Sequence, residues 1–328
     1  TNPANTALGG CVGLARVARL ELPMLGITLV DADTSFDVLT ASSASSEPEM
    51  AHRNHRLFVP SLQRSGCASR ARRGVGGGSS SLEMATESAR WLIVGGLGGL
   101  GLQLAWELVR GGRQGTPPTS LLLASRTGSV AHERQGLDLL LAKICLRADV
   151  QALAVDVASP VDTLAMARVA AGPLDGLVHA AGQLGGALLP RTTSDMVTSL
   201  FASKARGAYH LHCATSMVAL RSIYLSSIAS TLPVTGQAAY SCSNAALDAL
   251  QQGRTLQGLA TASLQLPLFR GVGMGVARFT EKQLERMGSH PLSAFVDCVR
   301  ALFVSPRALV SGTLWLLDSR PRLTLYKA

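Results

Sequence analysis

From Trp91 onward the apolar residues fall into short runs separated by stretches of helical period, and the sharpest change of period lies in Trp91 to Leu102, WLIVGGLGGLGL. A four-residue apolar run is followed by three glycines at a three-residue stride (Gly95, Gly98, Gly101) and then by an amphipathic segment. That pattern predicts a buried strand feeding a helix through a turn made of backbone alone. Glycine is needed there because a side chain would hold a pyrophosphate away from the amides at the helix N-terminus, and because a tight strand-to-helix turn often requires positive φ.

The same alternation continues downstream. Strands are predicted at Trp91–Val94, Ser120–Ala124, Val150–Val155, Gly176–His179, Arg221–Leu225 and Thr261–Leu266, with helices at Leu100–Gly112, Glu133–Arg147, Val161–Ala171, Ser194–Cys213 and Ala238–Leu256. This order implies an α/β chain with a doubly wound parallel sheet and right-handed crossovers, and a ligand at the carboxyl ends of its strands. Two further helices (Glu281–Met287, Leu292–Phe303) and an apolar segment at Thr313–Leu317 suit a lid and a last strand.

The front of the chain reads differently. Residues 5–22 predict a helix with Ala7, Val12, Leu14, Val17 and Leu20 as its apolar face, ended by Pro23; Ile27–Val30 predicts a strand, Thr40–Pro48 a loop, and Met50–Leu62 a hairpin around Asn54 and His55. This is part of a small α/β unit whose opening strands would precede Thr1, so the sequence reads as a piece of a longer polypeptide. Arg64 to Ser81, rich in Gly, Ser and Arg, reads as a flexible tether.

Composition narrows the class. With 328 residues and 47% hydrophobic content the chain can bury one large core or two modest ones. No long uncharged apolar run and no signal-peptide pattern is present, which predicts a cytoplasmic protein that does not engage a membrane. Six scattered cysteines without a C-x-x-C pair predict neither a metal site nor a disulfide framework. The net charge of +9 is carried by dispersed arginines, which favours anionic partners such as a phosphorylated cofactor or an acidic carrier, while no basic stripe interleaved with aromatics points to nucleic acid.

Taken with these motifs, the sequence resembles the ketoreductase domains of modular type I polyketide synthases, within the short-chain dehydrogenase/reductase superfamily. VGGLGGLG is similar to their cofactor turn, LLLASRTG to the second strand, VDV (Val155–Val157) to the adenine-flanking segment and LVHAAG (Leu177–Gly182) to the fourth-strand motif; SKARGAYHLH, SSIAS and GQAAYSCSNAALDAL follow in the family's order. The front part resembles the later half of the family's Rossmann-like structural subdomain. The resemblance implies a division into a truncated structural subdomain (1–63), a linker (64–89) and a Rossmann-type catalytic subdomain (90–328).

It also implies roles. Tyr240 would protonate a carbonyl oxygen as hydride arrives, and since an ordinary tyrosine has a pKa of ~10, a nearby cation, Lys204, is expected to favour its ionised form. Lys204 would also hold the nicotinamide ribose, Ser227 would hydrogen-bond the substrate carbonyl, and Asn244, one helical turn after Tyr240, would order a proton-relaying water. Cofactor contacts are expected from Gly95, Gly96, Leu97, Gly98, Leu100, Gly101, Ser125, Asp156, Val157, Ala180, Ala181, Gly182, Lys204 and Tyr240. Arg126, directly after a strand, would pair with a 2′-phosphate and so favour NADPH.

Several positions depart from the family pattern. Val94 replaces a threonine, Thr127 a second basic residue, Leu184-Gly185-Gly186 a Leu-Asp-Asp fingerprint, Leu232 a tryptophan, and Leu266, Pro267 and Phe269 a Trp, Gly and Trp. The function expected is NADPH-dependent reduction of a β-ketoacyl group tethered to an acyl carrier protein, among neighbouring synthase domains. The alternatives are a fatty-acid-type or free-standing short-chain reductase, and a non-catalytic scaffold of a megasynthase.

Overall fold

The computed structural model describes residues 3–32, 47–53, 56–60, 63–64, 89–110, 119–131, 135–170, 172, 174–215, 220–304, 314–316 and 326–327. Its centre is a seven-stranded parallel sheet of β5 (Arg90–Val94), β6 (Thr119–Ser125), β7 (Ala148–Ala154), β8 (Gly176–His179), β9 (Arg221–Ser227), β10 (Thr261–Leu266) and β11 (Leu314–Leu316), in the spatial order β11-β10-β9-β8-β5-β6-β7. The order reverses at β5, which pairs β6 on one side and β8 on the other. Strand directions and crossovers therefore leave a crevice at the carboxyl ends of β5 and β8.

Alternation along the strands builds a core on each face. Trp91, Ile93, Leu121, Leu123, Ile223 and Leu264 pack against α2 (Gly99–Arg110), α3 (Leu137–Cys145) and α10 (Leu292–Val304). Leu92, Val94, Leu122 and Leu177 face the other way, onto Met166 of α4 (Pro160–Val169) and Leu211 of α6 (Gly207–Thr215). The expected strands and helices are present among the described residues, with Leu314–Leu316 of the expected last strand forming β11 and with ends shifted by a few residues.

One expected helix is not continuous. Ser194–Cys213 divides into α5 (Ser194–Phe201), a π-helical turn at Ala202–Arg206 and α6. The turn carries Lys204, and its extra residue re-aims the chain just before Gly207, which caps it.

The front unit comprises α1 (Pro3–Glu21), β1 (Leu29–Ala32), β2 (Glu49–Arg53) and β3 (Arg56–Phe58), with β1 parallel to β2 and β2–β3 forming the expected hairpin. A further two-residue strand, β4 (Gln63–Arg64), pairs antiparallel with β12 (Tyr326–Lys327). Most of the expected loop at Thr40–Pro48 and of the expected tether lies outside the described residues.

The apolar face expected for α1 requires correction. Leu14 and Leu20 are 39% and 47% exposed, while Thr6, Gly10, Gly13 and Val17 are buried. The helix packs on α7 (Ala238–Leu256) through a glycine stripe: a Cβ at Gly9 would overlap Ala249, and one at Gly13 would lie 2.5 Å from the Ser241 carbonyl oxygen. Close backbone approach, not leucine burial, decides which side faces in.

Gly13→Val is therefore expected to destabilise the protein by about 2 kcal/mol, in the range for overpacking a close interface, whereas Leu14→Ala should change stability by less than about 0.5 kcal/mol. Denaturant unfolding followed by circular dichroism measures both. Equal losses would show that the leucine side carries the packing.

Candidate active site

The crevice at the strand ends opens into a cavity of about 1130 Å³. At one end lies the glycine turn. Gly95 has φ +80° and its amide donates to Ala124 O at 2.7 Å; a Cβ there would stand 2.6 Å from Ala181 N, and one at Gly101 would overlap the Gly95 carbonyl. These two positions hold the turn against β6 and the β8 exit, so that α2 begins with its N-terminus toward the cavity. Gly98, Leu100, Ser125, Arg126, Asp156, Val157, Ala180, Ala181 and Gly182 also line it. Arg126 is exposed on the wall, and Asp156 Oδ1 accepts from Ala158 N at 3.0 Å, which orients that carboxylate. Gly96 and Leu97 do not line the cavity; Leu97 is fully buried in the core beneath the turn.

The other end gathers Lys204, Ser226, Ser227 and Tyr240. Lys204 is 5% exposed; its Nζ donates to Leu225 O at 2.8 Å and lies 5.9 Å from the centre of the Tyr240 ring. Gly182 makes room for it, since a Cβ there would come 2.8 Å from Lys204 Cε. Burial lowers the Lys204 pKa to about 8, against the opposing field of Asp248. The π-helical turn is held by buried His179, whose Nε2 donates to Lys204 O at 3.1 Å; burial and the Lys204 charge lower this imidazole to about 3, so it stays neutral.

Ser227 ends β9, and its Oγ accepts from Ala229 N at 3.2 Å, capping the short 3-10 turn Ile228–Ser230. Tyr240 lies in the first turn of α7. Burial raises its pKa above the ordinary tyrosine value, outweighing opposing hydrogen bonds with the Ser227 and Asn244 side chains. Desolvation thus dominates at the phenol, whose ring lies beside the Lys204 ammonium. The phenol therefore carries its proton near neutrality, and a neighbouring cation is what would ease the release of that proton. Asn244, fully buried and outside the cavity wall, donates Nδ2 to Tyr240 O at 2.8 Å, and its Oδ1 has no partner among the described residues.

Beneath these groups lies a buried carboxylate that sequence reasoning missed. Asp248 accepts from Ser230 (2.7 Å), Ser263 (2.6 Å) and Gln265 (2.8 Å), and Gln265 in turn accepts from Thr231 (2.8 Å). The network fixes the turn after Ser227 to α7 and β10. Its signal was an acid amid the apolar stretch NAALDAL, one helical turn after Asn244.

A glycine cradle at a Rossmann-type switch point, with a lysine, a serine and a tyrosine at the far end of one cavity, defines a nucleotide-dependent oxidoreductase arrangement. The family model for the KR domain matches residues 89–271, more than half of the chain. The chain therefore belongs to the ketoreductase domains of polyketide synthases, Rossmann-type reductases of ketoacyl groups that use a nicotinamide cofactor.

Among its relatives, a phenolphthiocerol/phthiocerol polyketide synthase of Mycobacterium tuberculosis is 34% identical over 289 residues, covering 84% of this chain and 15% of the relative. The 6-methylsalicylic acid synthase of Aspergillus niger is 33% identical over 296 residues, covering 83% and 16%. The chain thus spans about a sixth of the length of these curated relatives. The ketoreductase from the first module of phoslactomycin biosynthesis in Streptomyces sp. HK803 superposes with a TM-score of 0.71 at 28% identity, over 90% of this chain and 67% of that one. No described helix is long and apolar enough to cross a membrane.

Proposed function

We propose that the chain reduces a β-ketoacyl thioester, carried on the phosphopantetheine of an acyl carrier protein, to the β-hydroxyacyl thioester with NADPH. It would act in the cytoplasm as part of a longer synthase, with 1–63 as a partial structural subdomain, 64–89 as linker and 90–328 as the catalytic subdomain. The observation that carries this reading is one continuous cavity with the glycine turn at one end and Lys204, Ser227 and Tyr240 at the other.

The residues fit the cofactor. Gly95 and Gly101 keep side chains out of the turn, and Arg126 offers an exposed guanidinium directly after β6 for a 2′-phosphate. Asp156, Val157 and the backbone of Ala180–Gly182 supply the adenine and ribose walls, and Lys204 stands by for the nicotinamide ribose. Bound there, NADPH supplies the hydride.

The chain's own residues do the rest. Ser227 Oγ donates a hydrogen bond to the ketone oxygen and Tyr240 Oη gives it a proton, neutralising the alkoxide as it forms. The charged Lys204 ammonium, within reach of the ring face, favours the phenolate left behind. Asn244 holds the first turn of α7 through Tyr240 O, and its buried Oδ1, behind the cavity wall, is an acceptor that an internal water on the proton's return path would use.

Tyr240→Phe is expected to lower kcat by at least about a hundredfold while NADPH affinity, read by fluorescence, stays within about twofold. Undiminished turnover would take the proton-donor role from Tyr240; wild-type binding without turnover on carrier-bound substrate would favour a scaffold. Arg126→Ala should weaken NADPH at least about tenfold while leaving NADH nearly unchanged, in line with the loss of a charge-assisted phosphate contact. An equal loss for both nucleotides would show that Arg126 does not read the 2′-phosphate.

A further inference from the structure

Two segments that border the cavity, Leu184–Leu189 and Leu232–Gln237, are joined by the front unit. Glu21, the last residue of α1, directs one carboxylate oxygen at each: Oε2 accepts from Leu189 N at 2.6 Å and Oε1 from Gly236 N at 2.7 Å. The segments also meet backbone to backbone, because a Cβ at Gly186 would overlap the Gly236 carbonyl oxygen, and Gly236 has φ +77°. Leu184 on the first segment and Leu232, Val234 and Gln237 on the second line the cavity, the second segment running directly into the helix turn that carries Tyr240.

Glu21 is itself held in place. Five residues earlier on α1, Arg16 pairs with Glu49 through Nε (2.7 Å) and Nη2 (2.6 Å) and donates Nη1 to Ser230 O at 2.6 Å, on the turn that follows Ser227. The glycine stripe seats the same helix on α7. A helix so fixed presents Glu21 as a rigid two-pronged acceptor, and both of its bonds are charge-assisted. Two loops without ladder bonds of their own are thereby set at one separation.

Resting on the ketoreductase reading above, we propose that Glu21 is a positioning residue for substrate specificity: it fixes the gap between the two substrate-side walls and so decides which face of the ketone lies toward the reducing centre. Selection between two faces requires only a small difference in how each fits, which makes it more sensitive to wall spacing than the proton transfer at Tyr240.

Glu21→Gln keeps the side-chain volume and one acceptor but turns a donor toward a donor; Glu21→Ala removes both acceptors. For a small β-ketoacyl thioester, each should raise KM about fivefold and the minor hydroxyl enantiomer, measured by chiral chromatography, about fivefold, with kcat within about twofold and NADPH affinity unchanged. A purely structural role would lower stability and leave the enantiomer ratio alone. Hydrogen exchange in peptides containing Leu189 and Gly236 should speed up in Glu21→Gln. An unchanged enantiomer ratio and KM, or unchanged exchange at both peptides, overturns the proposal. Because exchange is read without turnover, a wild-type protein inert toward NADPH and ketone would defeat the functional reading, and with it the specificity role, while the exchange result still decides the clasp.

Discussion

A buried ammonium is the constraint around which the site is arranged. Lys204 is nearly out of water, and a cation so placed costs several kcal/mol unless its surroundings compensate. The compensation comes from three directions: the Leu225 carbonyl on β9, the ring of Tyr240 on α7, and the field of buried Asp248. Strand, helix and π-helical turn are thus committed to one another by the need to solvate a single charge. His179 closes the arrangement by satisfying the Lys204 carbonyl from β8.

Much of this was legible in the residues. The buried strands announced themselves as short apolar runs, and the glycine stride marked the turn because no other residue could occupy Gly95 or Gly101. Lys204, Ser227, Tyr240 and Asn244 were legible as an ordered set, although the structure divides them: three line the cavity and Asn244 lies behind it. Three features were hidden. The seat of α1 depends on glycines, which carry no hydrophobic signal; the π-helical turn depends on tertiary satisfaction of its carbonyls; and the Asp248 network joins residues from three separate segments.

The departures on the substrate side acquire a physical setting. Phe269 is not a loose replacement: it is 4% exposed and meets Phe295 edge-on with ring centres 5.6 Å apart, tying the loop after β10 to α10. Leu232, by contrast, is 51% exposed and lines the cavity mouth. The glycine-turn end of the cavity is thus built from backbone contacts that few substitutions could reproduce, whereas the opposite end is shaped by side chains and by loops held from outside by α1.

The most direct measurement is the pH dependence of kcat/KM for NADPH-driven reduction of a small β-ketoacyl thioester, from about pH 6 to about pH 9.5, a range that brackets the lowered lysine and stops short of an ordinary one. Lys204 is charged below its lowered pKa and loses that charge as pH rises through it, while Tyr240, pushed upward by burial, remains a phenol. The expected result is a plateau near neutrality and a fall centred at about 8. A profile that stays level through the whole of that range would contradict the coupling of Lys204 to proton transfer at Tyr240.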